Sequence, residues 1–149
     1  INTPLLLVVP NGREKEVITR LARVGFDHTL GYLKGGIKNW KSQDKVISSI
    51  DSSEASALSD LENKSNNSIL DVRNQNEHQS ESISGSLNIP LIQINKSINQ
   101  INFKPKFFIH CKGGYRSMIA ASILKKNGIH RFYNVKGGFD SIKKASLNI

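Results

Sequence analysis

The chain has 149 residues, 38% of them hydrophobic and 22% charged, a length that suits one globular domain and is marginal for two. No apolar run reaches the roughly 18–20 residues a membrane span needs, and a single cysteine excludes a disulfide scaffold. Net charge is +9, which points to an anionic partner: nucleic acid, a membrane surface or a small anion.

The surplus is local. Residues 1–45 carry 8 basic and 4 acidic side chains, residues 46–103 carry 3 and 7, and residues 104–149 carry 10 and 1. Whatever anion the charge serves is therefore expected in the last third. The start, Ile1-Asn2-Thr3-Pro4, shows no initiator Met and no signal-peptide pattern. A piece of a longer, cytoplasmic protein is the expectation.

In chain order, Leu5-Leu6-Leu7-Val8-Val9 is an apolar run of strand length, and Val17, Leu21 and Val24 mark a helix closed by Gly25. Lys45 to Ile50 reads as a short strand or an extended entry. Ser52 or Ser53 can cap a helix through Leu61, with Ala55, Leu58 and Leu61 recurring along it and Glu54 in its first turn. Ser65-Asn66-Asn67 breaks that helix, and Ser68 to Val72 is a strand. Leu87-Asn88-Ile89-Pro90 is another, ended by its proline. Leu91, Ile94, Ile98 and Ile101 then fall at heptad-like spacing, which predicts a short amphipathic helix. Lys106 to His110 is a buried-type strand, and Ser117 to Lys126 is a helix with Lys125 and Lys126 in its last turn and Gly128 just past its end. Arg131 to Val135 is the last strand. This alternation predicts an α/β domain over residues 46–149, a mostly parallel sheet of about five strands flanked by helices.

Residues 1–45 repeat half of that pattern. Arg13 lies 12 residues before Gly25, as Arg116 does before Gly128, and Lys34-Gly35-Gly36 answers Lys136-Gly137-Gly138 at an offset of about 102 residues. The expectation is a tandem duplication whose first copy is truncated at the front and disabled. Only Pro10-Asn11-Gly12 separates its strand from Arg13, with no cysteine. Glu14 and Glu16 put negative charge where the second copy has Ser117 and Met118, which weakens an anion site. Residues 1–45 alone lack the strands to close a sheet, so they are expected to pack on residues 46–149 or on an upstream partner; Leu5–Val9 would otherwise be an open pairing edge.

The chemistry concentrates in Phe108-Ile109-His110-Cys111-Lys112-Gly113-Gly114-Tyr115-Arg116-Ser117. A strand delivers the cysteine to a glycine-containing loop that runs directly into a helix. Backbone N–H groups of such a loop, the positive end of the helix dipole, Lys112 and Arg116 favour a thiolate and a bound anion. Gly113 and Gly114 allow a tight turn and close approach of a ligand. A buried, inert cysteine is the competing possibility, and the flanking cations and helix start argue against it. His110 neighbours the cysteine on a strand, so it should face the opposite way and pack. His28, His78 and His130 are isolated and have no metal-ligand spacing. Asp71 and Arg73 sit at the C-terminal end of a strand, where open α/β sheets place their sites. A charge pair that holds the loop there is favoured over substrate contact.

These motifs together resemble the rhodanese (thiosulfate sulfurtransferase) family over about residues 46–149: CKGGYRS (111–117), ILDVR (69–73), ISGSLNIP (83–90) and YNVKGGFDSI (133–142) occur in the family's order. One departure is Glu81-Ser82-Ile83, where the family often has Gly-His-Ile. The resemblance implies a rhodanese-like fold, with Cys111 taking a sulfane sulfur as a persulfide and passing it to a nucleophilic acceptor. The loop from Lys112 to Ser117 would hold that sulfur. The implied partners are small sulfur anions or low-molecular-weight persulfides, with no nucleic acid, no membrane, and no metal or organic cofactor in this chain. A disabled copy before an intact one is also similar to proteins in which a metallo-β-lactamase-fold persulfide dioxygenase precedes both. That likeness would place a non-haem iron in a domain upstream of these residues.

Two other functions stay open. His110-Cys111 followed by Arg116 resembles the His-Cys-x5-Arg loop of cysteine phosphatases, but the spacing here is one residue shorter. The smaller ring of amides suits a single sulfur better than a tetrahedral phosphate. A non-catalytic rhodanese-like regulatory module is the other.

Overall fold

The computed structural model describes residues 1–61, 69–101 and 106–145, and the chain divides into two compact units, Ile1–Ser48 and Ser49–Ile149.

The first unit runs β1 (Leu5–Leu7), α1 (Glu14–Ala22), β2 (Thr29–Tyr32) and α2 (Gly36–Ser42). The apolar run forms β1, which pairs in parallel with β2, Leu6 opposite Gly31 and Leu7 opposite Tyr32. Glu14 and Glu16 in the first turn of α1 and Arg20 in its last turn match the helix dipole. Gly35 and Gly36 turn the chain into α2 with φ of 74° and 62°. A Cβ on Gly36 would lie 2.6 Å from the carbonyl oxygen of Val9. The sequence pattern reveals neither β2 nor α2 as elements, because each is short and carries only two apolar side chains, Leu30 and Tyr32 in β2 and Ile37 and Trp40 in α2.

The second unit contains β3 (Ser52–Ser53), β4 (Ile69–Asp71), α3 (Gln75–Ser80), β5 (Leu87–Asn88), β6 (Phe107–His110), α4 (Tyr115–Lys126), β7 (Phe132–Val135) and α5 (Gly138–Lys144). Its five strands form a parallel sheet in the order β3-β7-β6-β4-β5, with Leu70 beside Ile109 and Ile109 beside Asn134 at the centre. It is an α/β fold with apolar side chains on both faces of the sheet. Leu70, Phe107, Ile109 and Phe132 pack with Cys111 and with Ala120, Ala121 and Leu124 of α4. Ile69, Phe108 and Val135 pack with Phe139 and Ile142 of α5. Successive strand residues point to opposite faces, so each central strand feeds both cores.

Two sequence expectations are corrected, and a third loses one of its alternatives. Of the short strand or extended entry expected over Lys45–Ile50, no strand forms; the edge strand is β3, tied on where Asn134 N–H donates to Asp51 O at 2.8 Å and Lys136 N–H to Ser53 O at 2.9 Å. Ala55–Leu61 is a 3₁₀ helix rather than an α-helix. Its apolar residues recur every third position, which is the 3₁₀ period, and that brings Ala55 and Leu58 onto one buried line. The helix expected from Leu91 to Ile101 is instead two 3₁₀ turns, Leu91–Gln93 and Ile98–Gln100. Each turn hooks one isoleucine, Ile94 or Ile101, into the same core, which is why heptad spacing appears without a helix. Ser65-Asn66-Asn67 and Ser68 lie outside the described residues.

At the start of α5 the backbone comes close to the end of β6. Gly137 and Gly138 have φ of 69° and 58°, Phe139 N–H donates to Cys111 O at 2.7 Å, and Asp140 N–H donates to Lys112 O at 3.2 Å. A Cβ on Gly138 would stand 2.3 Å from Cys111 O and 2.5 Å from Lys112 O. Both obstacles are backbone atoms that no rotamer change can move. Gly138→Ala is therefore expected to cost about 2–4 kcal/mol, from left-handed strain plus overpacking. Gly114, with φ of 106° but nothing within 4 Å of its added Cβ, should lose only the strain part on Gly114→Ala. Urea denaturation of the two variants measures the difference.

Candidate active site

β6 ends at His110 and hands Cys111 to a loop of Lys112 and Gly113, with Gly114 as the N-terminal cap residue of α4. Cys111 is buried at 1% exposure beneath a rim formed by the exposed Lys112, Gly113 and Tyr115. Gly114 N–H donates to Cys111 Sγ at 3.1 Å, and the thiol lies 3.6 Å from Ser117 Oγ, whose hydroxyl donates to Gly114 O at 2.9 Å. Ser117 is fully buried beneath the sulfur. The N–H groups of Tyr115, Arg116 and Ser117 occupy the first turn of α4, where no intrahelical acceptor exists for them. A sulfur atom thus sits against one bonded amide and beside a helix N-terminus, whose free N–H groups can receive an anion.

The carbonyls of Cys111 and Lys112 are tied to α5. Because C=O and N–H point oppositely across a trans peptide plane, those bonds fix the directions of the Lys112 and Gly113 N–H groups as well. Gly138 is therefore part of the site's support. It is visible in the sequence only as the second glycine of Lys-Gly-Gly.

The Arg116 guanidinium is committed to an acid on α3. Its Nη1 and Nη2 make a two-pronged ion pair with Glu77 of α3, at 2.5 and 2.9 Å. Glu77 also accepts from the backbone N–H of Asn74 at 3.1 Å, so one carboxylate caps α3 and braces the loop helix. The Arg116 hydrogen bonds, opposed by partial burial and aided by the Asn74 N–H, pull the Glu77 carboxyl down to about 2. Sequence reading missed Glu77; the Asn74-x-x-Glu77 capping-box spacing was the signal available.

Asp71 and Arg73 form a separate buried cluster. Arg73 Nη2 lies 2.6 Å from Asp71 Oδ2 with both side chains at or below 4% exposure, and the Arg73 backbone N–H also donates to Asp71 at 2.9 Å. The Arg73 guanidinium reaches Glu81 O at 2.8 Å and stacks 3.8 Å over the Phe139 ring. His78 Nδ1 lies 3.0 Å and His110 Nδ1 3.9 Å from the Asp71 carboxylate. Burial would raise the Asp71 carboxyl, yet Arg73, His110 and His78 together hold it below its ordinary value. Burial is also the main cause that pushes His110 down to about 4, with Arg73 adding to it and Asp71 opposing; His110 is neutral near neutral pH. His110 stacks on Phe139 with ring centroids 5.8 Å apart, on the sheet face away from the core that holds Cys111. Among the described residues no group of three or more His, Cys, Asp or Glu is placed to hold a metal ion, and no helix is long and apolar enough to cross a membrane.

A parallel five-stranded sheet, a cysteine at the mouth of a central strand and a Gly-Gly turn buttressing its loop define an α/β module built around a cysteine loop. The family model for the rhodanese-like domain matches residues 54–145, and the chain belongs to that family. It is 41% identical over 71 residues to an uncharacterized protein, YqhL, of Bacillus subtilis (strain 168), over 48% of this chain and 56% of that protein. It is 39% identical over 70 residues to a putative sulfur carrier protein, YrkF, of the same organism, over 47% of this chain and 38% of that protein. The match thus spans about half or less of each relative. Among solved structures, a rhodanese-related protein from Thermoplasma volcanium superposes with a TM-score of 0.58 at 27% identity, covering 65% of this chain and 94% of that one.

The Glu77–Arg116 pair has a pH signature. A carboxyl lowered from 4.5 to about 2 on folding adds stability that is fully present above 4.5 and lost as pH falls to about 2. Glu77→Gln should therefore be less stable than the parent at about pH 6, with the gap closing toward about pH 2. Urea midpoints of both proteins across that range read the effect.

Proposed function

We propose that the chain is a sulfurtransferase in which Cys111 is the nucleophile and carries the sulfur. The observation that carries the reading is the Gly114 N–H at 3.1 Å from Cys111 Sγ, at the start of α4. The thiolate attacks the sulfane sulfur of thiosulfate or of a small persulfide. A new S–S bond forms on Sγ, the donor's own bond to that sulfur breaks, and sulfite or a thiolate leaves with the electron pair. The resulting Cys111 persulfide anion is held by amides of the loop from Lys112 to Ser117, with Gly113 and Gly114 leaving room for it and Lys112 contributing charge at the rim. A thiophilic acceptor then attacks the outer sulfur, the Sγ–S bond breaks, and the Cys111 thiolate returns. The steps need no metal or organic cofactor. Arg116 positions the loop helix through Glu77. Asp71 and Arg73 stiffen the sheet end behind the loop rather than touch substrate.

Residues 1–45 fit best as a disabled half copy of residues 46–149, retained as scaffold. Two details support this. Strand, helix, strand and helix follow in the same order in β1–α2 as in β6–α5. The left-handed Gly35–Gly36 turn crowds Val9 O as Gly137–Gly138 crowds Cys111 O. In that alignment Val9 stands where the cysteine does.

Treatment with thiosulfate should add one sulfur atom to Cys111, read by mass spectrometry, and the loaded protein should yield thiocyanate from cyanide. Cys111→Ser should lose both while it unfolds at an unchanged urea concentration. Sulfur transfer retained in that variant would sink the mechanism. Turnover of an aryl phosphate without thiosulfate:cyanide activity would overturn it in favour of a phosphatase.

A further inference from the structure

A surface helix usually shows polar residues to water, but α4 does not at its first turns. Tyr115, Met118 and Ile119 are 89%, 42% and 54% exposed, and their spacing of i, i+3 and i+4 puts them side by side on one face. The opposite face of α4 is satisfied by burying Ser117, Ala120, Ala121 and Leu124. The turn Leu91–Gln93 packs against α4 and leaves Ile92 87% exposed. This apolar strip begins at the rim of the cysteine loop, since Tyr115 follows Gly114 directly. Lysines mark both ends. Lys112 stands on the loop, and Lys126 continues the same helix face at i+11 from Tyr115, about 16 Å along the axis. Neither has a carboxylate partner among the described residues; the ion pairs of this region use Arg116, Lys136 and Lys143 instead.

We propose that this face docks a protein acceptor of the sulfur: an acidic segment that carries a cysteine beside apolar side chains. The inference rests on the sulfurtransferase reading and names its acceptor class. Charge decides the sign, because an apolar strip bracketed by unpaired lysines complements carboxylates. It argues against a second copy of this +9 chain. Continuity with the loop decides the chemistry, since an occupant lying along Tyr115, Met118 and Ile119 reaches the mouth of Cys111, where a cysteine thiol is the protein side chain suited to take the sulfur. A lipid surface offers none. In the transfer the acceptor thiolate attacks the outer sulfur of the Cys111 persulfide, the Sγ–S bond breaks, and the persulfide leaves on the acceptor as Cys111 thiolate is restored.

The test uses the full chain and synthetic peptides of one cysteine flanked by leucines, with either aspartates or lysines outside them. Binding is measured by fluorescence anisotropy on a Cys111→Ser background, where no transfer occurs. The aspartate peptide should bind at least about 10-fold tighter than the lysine peptide at low salt, with the advantage shrinking at high salt. Adding Met118→Ser and Ile119→Ser should weaken aspartate-peptide binding about 10-fold. In the Cys111 protein those two substitutions should slow sulfur transfer to the aspartate peptide to a similar extent, while discharge to cyanide stays within about 2-fold. Equal binding of both peptides, or no effect of the two substitutions, overturns the docking proposal. Binding to phosphatidylserine vesicles with the same sensitivity to the substitutions overturns it in favour of a membrane. Failure to load sulfur or discharge it to cyanide strikes the sulfurtransferase reading instead, and the binding measurement still judges the docking face.

Discussion

The site depends on a backbone-to-backbone contact: the amides of Phe139 and Asp140 holding the carbonyls of Cys111 and Lys112. A ring of amides can face a sulfur only if the carbonyls of the same peptides face elsewhere and find donors there. An unpaired buried carbonyl would cost free energy comparable to a lost hydrogen bond. The N-terminus of α5 is a ready source, since its first N–H groups have no intrahelical acceptors. To bring it close enough the chain must enter α5 through two left-handed residues with no side chain toward the loop, which Gly137 and Gly138 provide. The cysteine loop therefore has a structural requirement 27 residues downstream of the cysteine.

The distribution of charge takes on a different meaning beside this geometry. Ten basic side chains in residues 104–149 suggest a strong cationic field around the loop, yet several are matched. Arg116 is forked by Glu77, Lys136 faces Glu54 and Lys143 faces Glu81. All three acids, Glu54, Glu77 and Glu81, lie in the acidic middle of the chain, so the negative middle and positive end are in part a single neutralising set. His110 adds no charge, because burial keeps it neutral. On the sulfurtransferase reading, the transferred sulfur is left to the amides, the helix start and Lys112. Directed dipoles in a closed loop act on a small anion with geometric selectivity that diffuse charge lacks.

What could be read in the sequence is what local pattern controls. The apolar run 107–109 can only be a buried strand, and the change from it to a glycine loop and then to helical spacing is encoded within ten residues. The order of strands and helices in residues 46–149 follows from the same alternation. Glu77 was illegible as a site residue because α3, Gln-Asn-Glu-His-Gln-Ser, has no apolar face, and its link to Arg116 spans 39 positions. His78 looked isolated for the same reason: its partner, Asp71, belongs to a strand end seven residues earlier. The 91–101 stretch misled because spacing records which side chains are buried, and two 3₁₀ turns can bury Ile94 and Ile101 as well as one helix can.

Comparison of the two glycine pairs separates scaffold from chemistry. Gly36 is crowded by Val9 O at 2.6 Å and Gly138 by Cys111 O at 2.3 Å, so the turn is needed in both units although only one has a sulfur. The residue ahead of the loop is free to be valine or cysteine; the glycine that props the loop is not free to change. A Lys-Gly-Gly sequence at this position therefore reports the fold, and says nothing by itself about activity. On the sulfurtransferase reading, activity needs in addition a loop that sets an amide against the sulfur. Lys112-Gly113-Gly114 does so, with Gly114 N–H on Sγ, whereas Pro10-Asn11-Gly12 begins with a residue that has no N–H to offer. On the half-copy reading, proline at the first loop position removes a donor at the start of the very ring that would stabilise a thiolate. Loss of the cysteine and loss of the ring are then two sides of one change, and restoring Cys at position 9 alone would place a thiol before an incomplete loop.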